Sequence, residues 1–357
     1  LLERLKGQNE IILACDGDQP GANLLAYLSA RIGKARCKFV SYPQGCKDLN
    51  DVLVRQGSAG VARCILQARY VHVPGVVKMS DLPPAPELDV QRAGLSKDFD
   101  RTIGICRGHL SVWTGIPSHG KSALVRAVTI ELARRRGWKA GVATFEDEVK
   151  LDYRRAAGSY LVGRPADTLD EGDWRRVDEF IDKWMSFIVE DEDVASMSLE
   201  WLLECMATCV IRHGADFLVI DPWNKIDHAR PFGMGEHEYI GQALNELKRF
   251  ARRFRVHVAV VAHPGKPGKR WDMDNPEPPG GYDVSGSANW FNMPDLGVTV
   301  FRNRDEEKGG PTGCCEVMPW KIKRQPDMGT QRVVRLEFDP STNRYRDWYE
   351  QGVEAVR

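Results

Sequence analysis

Residues 115 to 122 read Gly115-Ile116-Pro117-Ser118-His119-Gly120-Lys121-Ser122, the G-x-x-x-x-G-K-[ST] spacing of a loop that cradles the phosphates of a nucleoside triphosphate. Each fixed position has a chemical duty. The glycines let consecutive backbone N–H groups turn inward, Lys121 reaches the β- and γ-phosphates, and the Ser122 hydroxyl holds Mg²⁺. Ala123 continues the contact. Three later polar residues stand where apolar runs end. Phe217-Leu-Val-Ile-Asp221 delivers a carboxylate suited to Mg²⁺. Gly141-Val-Ala-Thr-Phe145 runs into Glu146-Asp147-Glu148, where a carboxylate would polarise the water that attacks the γ-phosphate. The same residues equally suit an acidic helix N-terminus favoured by the helix dipole. Val256-His-Val-Ala-Val-Val-Ala262 ends in His263, a position from which a polar group senses the γ-phosphate, or where a histidine is simply hydrogen-bonded.

These residues need elements to position them. Apolar runs predict strands near 110–114, 140–145, 186–190, 216–221, 256–262, 296–301, 315–322 and 332–338. Helical spacing predicts helices near 121–136, 148–161, 171–185, 197–213 and 237–254. Such alternation builds an α/β fold with a mostly parallel sheet and helices on both faces. Leu199, Leu202, Leu203, Met206 and Val210 share one helical face and read as core. The loop after His263, Pro264-Gly-Lys-Pro-Gly-Lys-Arg-Trp271, carries Lys266, Lys269 and Arg270. It suits a nucleic-acid backbone with Trp271 stacking on a base, and equally an ordinary solvated loop. Lys248, Arg249, Arg252, Arg253 and Arg255 read as a solvated or subunit-contact face. Glu236-His-Glu-Tyr239 reads as a polar helix start, its spacing matching no metal-ligand set.

Ahead of this core stands a smaller strand–helix pattern: Ile11 to Ala14, a helix from Ala22 to about Ile32, and Cys37 to Tyr42. Prolines at 74, 83, 84 and 86 mark a linker. The expected domains are therefore 1–70, a linker 71–95, and 96–357. The first begins as if in the middle of a domain, which suggests a missing N-terminal piece. With 357 residues, 42% of them hydrophobic, the chain can bury a sizeable core. Basic and acidic residues balance at 50 each, so nucleic-acid binding must come from local patches rather than net charge. No apolar stretch has the length of a membrane span. The nine cysteines show no zinc spacing and read as free thiols of a reducing compartment.

Taken in order, the phosphate loop, Glu146, Ile220-Asp221-Pro222-Trp223-Asn224 and Val261-Ala262-His263-Pro264 resemble the DnaB-like replicative helicases, in particular the organellar and phage Twinkle-type primase–helicases. Tyr282 to Ala288, Phe301 to Asp305 and Lys321 to Arg324 extend the resemblance, which covers about Ile11 to Tyr345. It implies a RecA-like core that hydrolyses ATP with Mg²⁺ at subunit interfaces of a ring, usually a hexamer, on single-stranded DNA. Lys121, Ser122 and Asp221 then serve phosphate and metal, Glu146 activates water, and His263 couples the γ-phosphate to the DNA-binding loop. Arg324 matches the family's arginine finger, Arg302 a second arginine near the nucleotide, and Phe338 an aromatic on the base. Primase or polymerase at the fork are the implied partners. The compartment is a bacterial or phage-infected cytoplasm, or an organelle in a eukaryote. Two departures stand out: His119 replaces a small residue, and Gly286 to Asn292 lacks a glutamine phosphate sensor, leaving Asn289 or Asn292 to substitute.

The first module resembles the C-terminal half of a TOPRIM domain. Asp16 and Asp18 match its D-x-D motif and Asp48 a later acidic position, carboxylates that bind Mg²⁺ for phosphoryl transfer. The completing glutamate has no counterpart here, nor does a zinc module, so priming by this chain is not expected. Two other readings remain open at this level: a RecA-like recombinase or signalling ATPase, and a non-hydrolysing nucleotide-binding scaffold for a primase.

Overall fold

A computed structural model of the chain describes residues 5, 7–85, 87–190, 196–228, 230, 233–265, 277–304 and 311–348, and of 303, 304, 311 and 312 the backbone alone. The chain divides into two compact units, Leu1–Pro86 and Glu87–Arg357. In the first, strands β1 (Ile11–Leu13) and β2 (Cys37–Phe39) pair in parallel, and β3 (Arg69–Tyr70) runs antiparallel to β2. Asp18 and Asp48 accept hydrogen bonds from the first-turn amides of helices α1 (Gln19–Ile32) and α2 (Leu49–Leu66), which satisfies donors that a helix start leaves open. Val40, Val52 and Cys64 make a small core.

The second unit begins earlier than the sequence suggests. β4 (Val90–Gln91) pairs with β5 (Ile105–Cys106) around α3 (Lys97–Thr102), and Ala93 and Leu95 are buried. Residues 87–95, expected in the linker, thus belong with this unit. A nine-stranded sheet follows. Its strands are β6 (Leu110–Thr114), β7 (Lys139–Thr144), β8 (Met185–Ile188), β9 (Ala215–Asp221), β10 (His257–Val261), β11 (Leu296–Arg304), β12 (Pro311–Ile322), β13 (Val334–Asp339) and β14 (Arg344–Asp347). The order across the sheet is β14-β13-β12-β11-β6-β10-β9-β7-β8. Pairings from β11 to β8 are parallel, and β12 to β14 add antiparallel neighbours at one side.

All five residues of β6 are buried, because it lies mid-sheet with helices on both faces. Trp113 packs into one core layer with Leu124, Val128, Phe217 and Val261. Leu110 and Val112, pointing the other way, join Leu202, Leu218, Leu244 and Val260 in the second. Each such side chain contributes about 1.5–3 kcal/mol when fully buried. The crossover helix α4 (Lys121–Arg136) carries the chain from β6 to β7, with β10 and β9 lying between them in the sheet. A strand order that skips in this way opens a crevice at the carboxyl ends of the strands, where ligands of such sheets bind. The remaining helices are α5 (Arg154–Val162), α6 (Glu171–Trp184), α7 (Leu199–His213), α8 (Glu236–Phe254) and α9 (Asn289–Asn292). The helix expected from 148 opens instead with a π-helical turn, Val149–Tyr153. Among the described residues no helix is long and apolar enough to cross a membrane.

Candidate nucleotide site

The phosphate loop leaves β6 pressed against β11. At Gly115, with φ 147°, an added Cβ would stand 2.1 Å from the Val300 carbonyl oxygen, so only glycine fits. Gly120, with φ 93°, turns the chain into α4, whose first turn holds Lys121, Ser122 and Ala123. Lys121 is 5% exposed, and its Nζ donates to the carbonyls of Gly115 (2.9 Å) and Ile116 (3.0 Å). Burial draws its pKa down to about 8, against the opposing charges of Asp221 and Glu146. A phosphate beside this ammonium supplies the counter-charge that burial makes scarce.

Ser122 Oγ donates to Asp221 Oδ1 at 3.0 Å, across from α4 to the end of β9. Burial raises the Asp221 carboxyl to about 6, although the Ser122 hydrogen bond and the Arg126 charge pull the other way. A buried carboxylate beside a hydroxyl is a good place for a hard cation. Among the described residues no cluster of three or more His, Cys, Asp or Glu is gathered for a metal. A divalent ion here would take one carboxylate and one hydroxyl from the protein, and its other ligands from phosphate and water.

Glu146 and His263 complete the rim. Glu146 is exposed two residues beyond β7, and its charge acts on Lys121, Asp221 and His263. His263 is half-buried two residues beyond β10, where burial first and then Lys121 hold its pKa below the ordinary value. Its carbonyl accepts from Ser285 N–H, and Pro264 bridges to Val284, so the chain after His263 is tied to the segment around 283–285. The structure thus gathers Lys121, His263, Asp221 and Glu146 at the carboxyl ends of adjacent strands.

His119 has a defined partner. Its Nδ1 accepts from the Arg302 backbone N–H at 3.0 Å, and its ring lies 5.2 Å from that of Phe301. Burial, Lys121 and Arg302 bring its pKa to about 4, so the ring is neutral and acts as an acceptor. The Arg302 guanidinium lies 5.1 Å over the Phe338 ring, and Phe338 packs 4.9 Å from Tyr345. Arg302 and Phe338 are therefore brought together beside the loop. Arg324 is elsewhere. Arg302 pairs with Cys315, but at the opposite end of the same two strands Leu296 pairs with Ile322, and Arg324 follows two residues later. Its charge acts on Cys106 and His109, just ahead of β6. Five residues of strand span roughly 16 Å, so Arg324 and Lys121 lie beyond opposite ends of the central strands.

Other expectations fare differently. Lys266, Lys269, Arg270 and Trp271 lie outside the described residues. Gly17 N–H meets the Lys47 carbonyl at 2.6 Å, which brings the Asp16–Asp18 and Asp48 loops side by side. Asp18 and Asp48 spend carboxylate oxygens on helix caps, and these three acidic residues form no metal-ready cluster. Asn289 donates to the His237 carbonyl. Lys248, read as part of a solvated or subunit-contact face, is 8% exposed and paired to Asp295 at 2.8 Å. Sequence patterns did not single out Arg126, which forms an ion pair with Asp147 between α4 and the loop bearing Glu146 and is stacked 4.9 Å over Tyr153. An arginine inside the apolar run Leu124-Val125-Arg126-Ala127-Val128 was the available signal, since a charge among buried neighbours needs a partner.

Residues 102–269 match a family described as an AAA domain. The Twinkle homolog protein, chloroplastic/mitochondrial, of Arabidopsis thaliana is 32% identical over 96% of this chain and 50% of its own length. The DNA helicase/primase of Enterobacteria phage T3 is 22% identical over 83% of this chain and 54% of its own length. The chain spans about half the length of these relatives. In fold it is similar to a solved DnaB-like replicative helicase described with its interactions with primase. The TM-score is 0.55 at 16% identity, over 68% of this chain and 59% of that one. The chain is thus similar through nearly its whole length to a Twinkle homolog protein, on a fold that it shares with a DnaB-like replicative helicase.

Proposed function

We propose that this chain is the motor of a replicative DNA helicase, which hydrolyses ATP between head-to-tail copies of itself and draws single-stranded DNA through a ring, most simply a hexamer. The observation that carries this is the separation of Lys121 and Arg324 to opposite ends of the central strands. An arginine there serves a nucleotide held by another copy, and repeating such a heterologous contact builds a ring where its rotation closes.

In this reading Lys121 binds the β- and γ-phosphates, and Ser122 and Asp221 hold Mg²⁺. Mg²⁺, when bound, neutralises charge developing on the phosphate oxygens. Glu146 takes the proton of the attacking water on a carboxylate oxygen. Arg302 and Phe338, beside the loop, flank the nucleoside. Arg324 of the adjoining copy stabilises charge on the transferred phosphoryl group, an effect worth about 10³–10⁵ in rate. His263 senses the γ-phosphate and passes its state to the segment after it, where Lys266, Lys269 and Arg270 meet the DNA backbone. The first unit is taken as a partial TOPRIM module, without a priming role. A primase or polymerase is the expected companion at the fork, in an organelle or in a bacterial or phage-infected cell.

The test is ATP hydrolysis with and without single-stranded DNA. The expected result is stimulation by DNA and loss of activity in Lys121→Ala. Unstimulated hydrolysis by a monomer would overturn the reading.

A further inference from the structure

Arg324 leaves the sheet in an exposed stretch, with a backbone φ of 61°. An arginine that must meet a phosphate on another copy needs a fixed base, because a displacement of about 1 Å at a reacting centre costs roughly a hundredfold in rate. The side chain that supplies such a base is Asp295, 3% exposed and immediately ahead of β11. Its Oδ1 stands 2.8 Å from Lys248 Nζ and 3.3 Å from Lys323 Nζ, and Oδ2 accepts from the Leu110 N–H at 3.2 Å. Its own N–H donates to the Leu110 carbonyl at 2.8 Å, and its carbonyl accepts from the Lys323 N–H at 2.9 Å. Lys323 is therefore gripped by both its main chain and its side chain. Two residues earlier, Lys321 Nζ donates to the carbonyls of Phe291 (2.8 Å) and Asn292 (2.7 Å), fastening the same segment to the turn before Asp295.

A buried ion pair such as Asp295–Lys248 would by itself only tie α8 to the sheet. The second ammonium is different. Lys323 is 52% exposed on its side chain, yet it reaches inward to this one carboxylate, and Arg324 is the next residue. We propose that Asp295 is the positioning residue for the arginine supplied in trans: by holding Lys323 it fixes where Arg324 leaves the subunit. This rests on the composite-site reading above.

The test uses Asp295→Asn and Lys323→Met, each assayed alone and mixed with Lys121→Ala, with Arg324→Ala mixed likewise as the control. Alone, Asp295→Asn and Lys323→Met are expected to keep KM for ATP and to lose kcat by roughly a hundredfold, while Lys323→Arg keeps both. Mixed in equal amounts with Lys121→Ala, both should regain hydrolysis, because the Lys121→Ala subunits present an intact Arg324 to the intact phosphate loops of their neighbours. Random head-to-tail mixing leaves about one site in four with both halves sound. If the Arg324→Ala mixture regains nothing, the composite-site reading itself fails. If that control recovers but the Asp295→Asn and Lys323→Met mixtures do not, their defect lies within their own subunit and the positioning role is overturned. Should Asp295→Asn fail to fold, Lys323→Met decides alone, since it removes only the half-exposed partner.

Discussion

Asp221 carries the clearest electrostatic signature in the site. Its carboxyl moves from an ordinary 3.8 to about 6, chiefly through burial. A folded-state pKa above the unfolded one means that the folded chain holds the proton more tightly. Stability therefore falls as pH rises from 3.8 to about 6, and the carboxylate costs on the order of 2–3 kcal/mol at neutral pH. Asp221→Asn is expected to raise the melting temperature of the ligand-free protein at pH 7.5, with no gain at pH 3.5, and to abolish stabilisation by Mg²⁺ with nucleotide. A melting temperature unchanged at both pH values would contradict the burial argument. His119 has the opposite sign. Its pKa is depressed from 6.5 to about 4, so its contribution is present above 6.5 and lost as pH falls toward 4. His119→Asn keeps an acceptor for the Arg302 N–H without titrating, and urea unfolding should show it losing less stability than wild type between pH 6.5 and 4. The loop's place between β6 and α4 was legible from spacing alone. The role of His119 was not, because its partner is a backbone amide 183 residues away that no pattern announces.

At the scale of elements, the strand-end residues work only if the loops that carry them are held. Asp147, next to Glu146, is pinned by Arg126 from the second turn of α4, and a π-helical turn follows at once. Arg126→Met removes that anchor and leaves a half-buried carboxylate without its guanidinium, a change of about 2 kcal/mol in stability. It should lower kcat for ATP by about tenfold or more while KM moves little, since Lys121 and Ser122 are untouched. A rise in KM with kcat intact would show instead that the pair serves binding. The apolar runs announced the strands that carry the site because buried parallel strands must be continuously apolar. β14 was not foreseen: Arg344-Tyr-Arg-Asp347 offers a single buried apolar side chain, Tyr345, between charges. Lys248 was misplaced for a related reason, since its inward partner Asp295 lies on another element.

At the scale of the whole molecule, strand order and direction decide where Arg324 stands relative to the phosphate loop. Periodicity predicted which segments are strands, but nothing in it says that β12 runs back against β11 and delivers Arg324 to the strand ends away from the phosphate loop. The family resemblance assigned Arg324 to another subunit's nucleotide, and the register gives that assignment a physical reason. In the proposed function, hydrolysis belongs to an interface between copies. The most direct measurement is the ATPase rate per subunit, at saturating ATP and single-stranded DNA, over a wide range of protein concentration for wild type and Arg324→Ala. The wild-type rate is expected to climb as the copies associate, and the Arg324→Ala rate to be about a thousandfold lower with nucleotide still bound. A constant rate per subunit down to dilutions where the chain is monomeric, unaffected by Arg324→Ala, would contradict the proposed function.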